Sequence, residues 1–358
     1  MAFRMLVINP GATSTKIAVF KDERAFLQEL IEHDSAELAS FCGLPEQEPY
    51  RKKLILDVLK RADVEPTSFD AIAGRGGLLV PMPGGTYEVC PNMLATLRES
   101  RHGEHASNLG ALLAYDFALL AGCKAYIVDP VSTDEFDPVA RISGLPEIQR
   151  PSRYHALNHK AVARRFASSQ GRSYADMRLI VAHLGTGTSV AAHIGGKSID
   201  VNDPLNEGTF SVDRAGSLPV REFMELCYSG KYDRREMTKK IGQEGGLFAY
   251  IGTKDLRRAW EMADGGDEEA RVAIEAMAYQ IAKDIGSMAA VCCGKVDNII
   301  LTGGMAYSER FVALIEERVS FIAPVRIMPG EEELTSLAMG VLRVLRKEEN
   351  ALTYPECG

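Results

Sequence analysis

Asn9-Pro10-Gly11-Ala12-Thr13-Ser14-Thr15-Lys16-Ile17, entered directly from the apolar run Met5-Leu6-Val7-Ile8, is the stretch on which the fold turns. Leu6 to Ile8 and Ile17 to Phe20 have strand composition, so the small hydroxyl residues and the glycine between them read as a tight connection between two strands. Backbone N–H groups in a loop without bulky side chains can approach an oxyanion closely, which makes this connection a candidate phosphate cradle. The same residue types also build ordinary hairpin turns, and this stretch alone does not separate the two readings. A second stretch adds weight to the first. Ile180-Val181-Ala182-His183-Leu184 runs into Gly185-Thr186-Gly187-Thr188-Ser189 and leaves through Val190-Ala191-Ala192-His193-Ile194, repeating strand, glycine-hydroxyl turn and strand. A third turn, Thr302-Gly303-Gly304-Met305-Ala306, follows the strand-like Ile299-Ile300-Leu301 and precedes a helical pattern, as an adenosine or phosphate contact at a helix N-terminus would.

The chain has 358 residues, 46% of them hydrophobic, enough to bury the cores of two soluble α/β domains. A formal net charge of −8 argues against a nucleic-acid partner, because phosphate backbones are met by excess Lys and Arg. Cys42, Cys90, Cys123, Cys227, Cys292, Cys293 and Cys357 include no C-x-x-C pair, and nothing before the first strand reads as a signal peptide, so a reducing cytoplasm is expected. No apolar run reaches about 18 residues without a charge or a breaker, and no membrane partner is expected. Helical patterns at Ser35 to Leu38, Tyr50 to Ala62, Pro91 to Ser100 and Ala106 to Ala121 alternate with strands at Ala71 to Gly74 and Lys124 to Val128. Val131 to Tyr154 reads as a long loop, followed by a helix from about Asn158 to Ser168. In the second half, Asp267 to Cys292 reads as a long helix before the strand Asn298 to Leu301, and Lys347 to Gly358 as a polar tail. A domain break is expected near Arg172 to Met177, giving an acyl-substrate and phosphate domain over residues 1–174, completed by a C-terminal helix at about 334–358, and a nucleotide-binding domain over 175–333.

Four separated motifs carry a resemblance that runs nearly end to end: Ile8 to Lys16, Ala73-Gly74-Arg75-Gly76-Gly77, Ser152 to Lys160 and Ala182 to Gly187. In this order they resemble the acetokinase family, within the acetate and sugar kinase, Hsp70 and actin superfamily. The resemblance implies an α/β fold of two duplicated ribonuclease H-like, actin-like domains with a nucleotide cleft between them, and a homodimer or higher homo-oligomer. It implies ATP and Mg²⁺ as cofactors and a short-chain carboxylate and its acyl phosphate as partners. The expected reaction is reversible, direct in-line transfer of the γ-phosphoryl group to butyrate or a related short or branched-chain fatty acid. The alternatives are acetate or propionate as acceptor, or a nucleotide-gated ATPase of the actin and Hsp70 kind.

A carboxylate is already an anion, so its phosphorylation needs no general base, and the difficulty is bringing two negative groups together in line. Arg75, just past a strand, and Arg214, in Ser211-Val212-Asp213-Arg214-Ala215-Gly216-Ser217, offer the planar guanidinium that matches carboxylates and phosphates at two points. The resemblance matches them to the arginines that bind the carboxylate and the transferring phosphoryl group. It matches His155 to a histidine that hydrogen-bonds the phosphoryl oxygens, and His159 to a supporting one. His155 and His159 are four apart, but no H-E-x-x-H pattern or third ligand accompanies them, so zinc is not expected. His183 reads equally as a phosphate neighbour or a core histidine. Asn9, Gly11, Thr13, Ser14 and Lys16 in the first hairpin, Gly185, Thr186 and Gly187 in the second, and Gly303, Gly304 and Met305 in the third turn are the expected nucleotide contacts. Asp129, closing a strand, is assigned to holding a metal-bound water or orienting an arginine. Glu331, Glu332 and Glu333 open a helix, where acids favour the dipole in any case. By resemblance one of them joins Asn9 on Mg²⁺, and Glu332 is the expected one, with the register open by a residue.

Where acetate kinases continue past the cleft arginine with two valines and a histidine, this chain has Gly76-Gly77-Leu78-Leu79-Val80-Pro81. Loss of branched side chains there is expected to leave room, with Gly77, Leu78, Val80 and Pro81 shaping a pocket for a four-carbon or short branched acid. At about 0.8 kcal/mol per buried methylene, two carbons favour butyrate over acetate by roughly tenfold. Ala191 to Ser198 lacks the first glycine of a Walker A loop, and Gly195-Gly196 reads as a hairpin turn. Gly185 to Val190 fails the last position of G-x-G-x-x-G, which argues against a dinucleotide fold.

Overall fold

Arg4–Pro10 (β1) and Ser14–Lys21 (β2) pair antiparallel with Ile8 opposite Ile17 and Pro10 opposite Thr15, so the quoted stretch is the tip of a hairpin. In this computed structural model, which describes residues 2–357, β2 continues into Arg24–Glu32 (β3), and Ala71–Arg75 (β4) joins β1 in parallel. Thr86–Glu88 (β5) and Lys124–Val128 (β6) complete a sheet of order β3-β2-β1-β4-β6-β5, with β6 parallel to β4 and β5 antiparallel at the edge. The central strands are buried on both faces, which is why they read as unbroken apolar runs rather than as alternation. Helix Asn108–Ala121 lies so close to β4 that a side chain on Gly74 would strike the Gly110 backbone. β3 is largely exposed, its apolar Phe26 and Leu30 included, so it lacks the buried run that marks the central strands.

Arg178–Leu184 (β7), Thr188–Ile194 (β8) and Lys197–Asn202 (β9) form a second antiparallel meander. Gly195 and Gly196 make its second turn at φ of +62° and +77°, where a side chain would be strained. Asn298–Thr302 (β10) lies parallel to β7, and Val325–Ile327 (β11) parallel to β10, in the order β11-β10-β7-β8-β9. Both sheets therefore follow one plan: a three-stranded meander whose first strand is extended by two parallel strands. The 24-residue helix Glu268–Val291 buries its alanine, isoleucine and methionine face against this second sheet.

The chain divides into two compact units, residues 2–134 with 332–357, and 135–331. The division lies about forty residues before the break expected near Arg172 to Met177. The reason is packing: Val162, Ala163 and Phe166 of helix Ala156–Ser169 share a core with Leu179, Val181 and Ile300, so this helix belongs to the second sheet. Helix Glu333–Leu345 belongs to the first unit, where Gly340 lies directly against Val128 of β6. Met1 and Gly358, the outer limits of the expected domains, lie outside the described residues. The polar-looking tail is tied down. Leu352 bonds to the backbone of Thr86 and Glu88, Tyr354 is fully buried, and Cys357 forms a disulfide with Cys90, a pairing that spacing did not signal. No helix among the described residues is long and apolar enough to cross a membrane.

Candidate functional site

In the first unit the hairpin tip is held from behind. Arg51, on helix Gln47–Arg61, is fully buried, and its guanidinium donates to the carbonyls of Gly11 (2.9 Å), Ser14 (3.2 Å) and Ala12 (3.2 Å) and to Thr15 Oγ1 (3.0 Å). The Thr13 carbonyl accepts from the His33 backbone N–H at 3.0 Å, and His33 Nε2 lies 2.8 Å from Thr15 Oγ1. All four carbonyls of residues 11–14 thus point into protein, while Ala12 and Thr13 are exposed at the tip. A loop that turns its carbonyls inward presents an anion with little to repel it. Burial lowers the Arg51 pKa to about 10 and, with the Arg51 charge beside it, the His33 pKa to about 4. Ser14 is half-buried, and Lys16 is exposed on β2.

Beside the hairpin, Asn9 Nδ2 donates to Glu333 Oε2 at 2.5 Å, and Arg75, at the end of β4, forms an ion pair with Glu333 Oε1. The acid at Asn9 is therefore Glu333, not the expected Glu332. Glu332 precedes the helix and uses its carbonyl to accept from Ser336. The one-residue difference follows from where the helix starts, which three consecutive glutamates do not reveal. Asn9 and Glu333 are oxygen donors of the kind Mg²⁺ takes, and a magnesium site built from one or two carboxylates plus substrate phosphates needs no larger protein cluster. Among the described residues no group of three or more His, Cys, Asp and Glu side chains is placed to hold a metal. Asp129 follows β6 with φ of +38° and is buried.

The room expected at Gly77 is already filled. A Cβ there would lie 2.5 Å from Asn108 Oδ1, 2.6 Å from Asn108 Cα and 2.8 Å from Leu97, so this glycine serves close packing against the start of helix Asn108–Ala121. Asn108 Oδ1 also accepts from the Leu78 N–H at 2.9 Å. Leu78 and Val80 are half-buried, and Pro81 is exposed.

The second unit gathers a larger set at its own hairpin. Arg214 lies across Gly187: a side chain on that glycine would fall inside the guanidinium. Burial depresses the Arg214 pKa, against the pull of Asp213 and Asp203. His155, preceding helix Ala156–Ser169, places Nδ1 2.9 Å from Ser189 Oγ on β8, and its ring stacks on His183 at 3.9 Å between centroids. His183 Nδ1 lies 2.8 Å from Asn158 Oδ1, and its Nε2 3.0 Å from Glu331 Oε1, which places it beside Gly185 as well as in the wall of the unit. Ser211 Oγ donates to the carbonyl of the exposed Thr186 at 2.5 Å. Gly303, at φ of +88°, leaves no space for a side chain against the Leu184 backbone and exchanges backbone hydrogen bonds with Gly330. Gly304 is exposed with open space above it, whereas the Met305 side chain lies in the core and can offer a ligand only its backbone. Sequence reasoning missed Arg51, Ser189, Asn158 and His193. Arg51 carried a legible signal, an arginine on the buried face of an amphipathic helix, and the others carried none.

Two meanders of one plan, each turning through a glycine-hydroxyl hairpin and extended by parallel strands, define an actin-like fold of the acetate and sugar kinase, Hsp70 and actin superfamily. The solved acetate kinase of Porphyromonas gingivalis matches with a TM-score of 0.80 at 21% identity, covering 96% of this chain and 99% of that one. A propionate kinase of Francisella tularensis matches with a TM-score of 0.74 at 17% identity, covering 94% and 98%. The model of the acetokinase family matches residues 148–323, and butyrate kinase 2 of Clostridium acetobutylicum is 51% identical over 355 residues, 99% of this chain and all of that protein. The chain belongs to the acetokinase family.

Proposed function

We propose that this protein is a carboxylate kinase that transfers the γ-phosphoryl group of ATP, with Mg²⁺, to butyrate or a related short or branched-chain fatty acid, reversibly. The observation that carries the reading is the 51% identity, along the whole chain, to a relative named butyrate kinase 2. The site chemistry supports it. Arg75 already holds a carboxylate, that of Glu333, through an ion pair to Oε1, and its planar guanidinium suits an organic acid. An incoming acid would take that place on Arg75, and Asn9 and Glu333 would hold the Mg²⁺. The metal, when bound, supplies positive charge to the phosphate oxygens.

The chain's own residues do the rest. The N–H groups of the exposed Ala12 and Thr13 receive phosphate oxygens because Arg51 and His33 occupy the carbonyls of the loop. Arg214, laid over Gly187, and His155, anchored on Ser189, donate to the oxygens of the transferring group and lower its charge as the acid approaches. Gly185, Thr186 and Gly304 present backbone to the nucleotide, Gly303 fixes the third turn through its bonds to Gly330, and Asp129 orients the groups at the end of β6. Leu78, Val80 and Pro81 border the acyl chain, with Gly77 fixing their backbone.

Hydroxamate trapping of acyl phosphate, with acetate, propionate, butyrate and isobutyrate supplied in turn, tests the reading. The expected order places kcat/KM for butyrate or isobutyrate above acetate. ATP hydrolysis with no hydroxamate product from any acid would refute it.

A further inference from the structure

His155 stands at one end of a line of hydrogen bonds that runs inward through the second unit. Its Nδ1 faces Ser189 Oγ at 2.9 Å, and Ser189 Oγ lies 2.9 Å from His159 Nε2. His159 Nδ1 lies 3.3 Å from His193 Nε2, and His193 Nδ1 meets the Tyr174 hydroxyl at 2.6 Å and Ser198 Oγ at 3.3 Å. Ser189, His159 and His193 are completely buried. Burial holds the pKa of His159 well below its ordinary value and that of His193 down at about 3, so each ring is neutral and carries one proton. In a row of singly protonated rings joined by a hydroxyl, all donors point the same way, and the direction is decided at the ends.

The inner end decides it. Imidazole nitrogen is a far stronger base than phenol oxygen, so in the short contact the Tyr174 hydroxyl donates and His193 Nδ1 accepts. Ser198 Oγ, already accepting from the Tyr154 hydroxyl at 2.8 Å, offers its proton to the same nitrogen. With Nδ1 an acceptor, His193 carries its proton on Nε2 and donates to His159 Nδ1. His159 then donates from Nε2 to Ser189 Oγ, and Ser189 donates to His155 Nδ1.

We infer that Tyr174, His193, His159 and Ser189 form a directional relay whose function is to fix His155 as the tautomer protonated on Nε2, the nitrogen facing away from the relay. This deepens the proposed kinase reading and rests on it for its purpose: a histidine that must donate to a phosphoryl oxygen needs its proton on that nitrogen. The reverse tautomer would present a lone pair to an anion. Tyr174 and His193 are thus positioning residues, acting through others. No proton is transferred in the resting arrangement, and His193, His159 and Ser189 each donate one hydrogen bond onward toward His155.

The test is ¹⁵N NMR of the whole protein labelled at histidine, with the His155 signals assigned by their loss in His155→Gln. The expected spectrum has a protonated, pyrrole-type Nε2 and an unprotonated, pyridine-type Nδ1 at His155. His193→Phe keeps a ring of similar size but cuts the relay. It is expected to give a mixture of His155 tautomers and to lower kcat by roughly 10- to 100-fold, the range seen when partners that orient a functional histidine are lost. KM for acid and for nucleotide is expected to stay within about threefold. Tyr174→Phe removes a single hydroxyl at the far end, perturbs the core little, and is expected to shift the spectrum the same way by a smaller amount. A wild-type His155 protonated on Nδ1 overturns the inference. So does an unchanged His155 spectrum in both variants, whatever happens to kcat. The spectrum of the free protein requires no turnover, so failure of the kinase reading would be seen separately in the hydroxamate assay.

Discussion

Replacing Arg51 with Met is the perturbation that separates scaffold from site most sharply. The guanidinium is fully buried and donates to three hairpin carbonyls, to the Thr15 hydroxyl and to Gln47 Oε1, at 2.8 Å from Nη2. Methionine fills much of the volume but leaves the carbonyls of Gly11 and Ala12 without their donor, while that of Ser14 keeps the Gly11 N–H at 2.7 Å. Each buried carbonyl so orphaned costs about 1–3 kcal/mol. Water at the exposed tip can reach some of them, and removing a buried charge returns part of its desolvation cost, which places the net loss near the low end, roughly 2 kcal/mol. For a unit of this size that is a fall in Tm of roughly 4–8 °C. The released carbonyls are also free to turn outward, toward the oxyanions the loop is proposed to hold. Nucleotide affinity should therefore fall by more than about tenfold, the equivalent of 1.4 kcal/mol, below the temperature at which the variant unfolds. Urea unfolding measures the first quantity and calorimetric titration with nucleotide the second. Arg51→Lys retains the charge without the fork and should lie between wild type and Arg51→Met in both. A variant that loses the stated stability yet binds nucleotide as wild type does would refute the carbonyl clamp as a determinant of the site.

Three further outcomes are expected. Gly187→Ala should displace the Arg214 guanidinium and reduce kcat by about 100-fold or more, as Arg214→Ala should, with Tm little changed; Gly304→Ala meets open space and should fold as wild type does, which a thermal scan beside the kinetic assay would check. Glu333→Gln should raise the Mg²⁺ concentration giving half-maximal rate by at least about tenfold, whereas Glu332→Gln should shift it by less than about twofold; equal effects would return the metal contact to an open question of register. Acidification should destabilise the fold. His33, His159 and His193 have folded pKa values below 6.5, so the unfolded chain binds three protons that the folded chain refuses, while Asp284, raised by burial to about 6 from 3.8, binds one in the folded state. The uptake of two protons by these four groups removes roughly 2.7 kcal/mol per pH unit between about pH 6 and pH 4, the lowered His105 and the raised Asp203 acting in opposite directions, and urea titrations showing flat or rising stability over that range would contradict the burial argument.

Much of the architecture was legible because hydrogen bonding in strands and tight turns is local in sequence. The runs Met5 to Ile8 and Ile180 to Leu184 announce buried strands, and the glycines and hydroxyls after them announce hairpins that no bulky residue could form. Arg214 was singled out from its turn-rich setting, and the structure lays it on Gly187 of the second hairpin. Other readings failed where the deciding contact lies far along the chain. Gly77 looked like vacated space, but Asn108 and Leu97 fill it. Glu332 and Glu333 are indistinguishable as letters, and only the first turn of their helix aims one of them at Asn9, 324 residues away. The tail at 352–357 looked solvated, yet Tyr354 is buried and Cys357 meets Cys90.

The sequence by itself determined the repeated strand-turn-strand plan and the glycine-hydroxyl turns within it, because these depend on residue type and on spacings of a few positions. The tertiary structure alone decided which glutamate faces Asn9, which glycines make room and which merely pack, what holds the first hairpin's carbonyls, and that four buried side chains line up behind His155. Those are outcomes of close packing and of hydrogen-bond satisfaction between distant segments, where a single residue's register or half an ångström of space changes the answer.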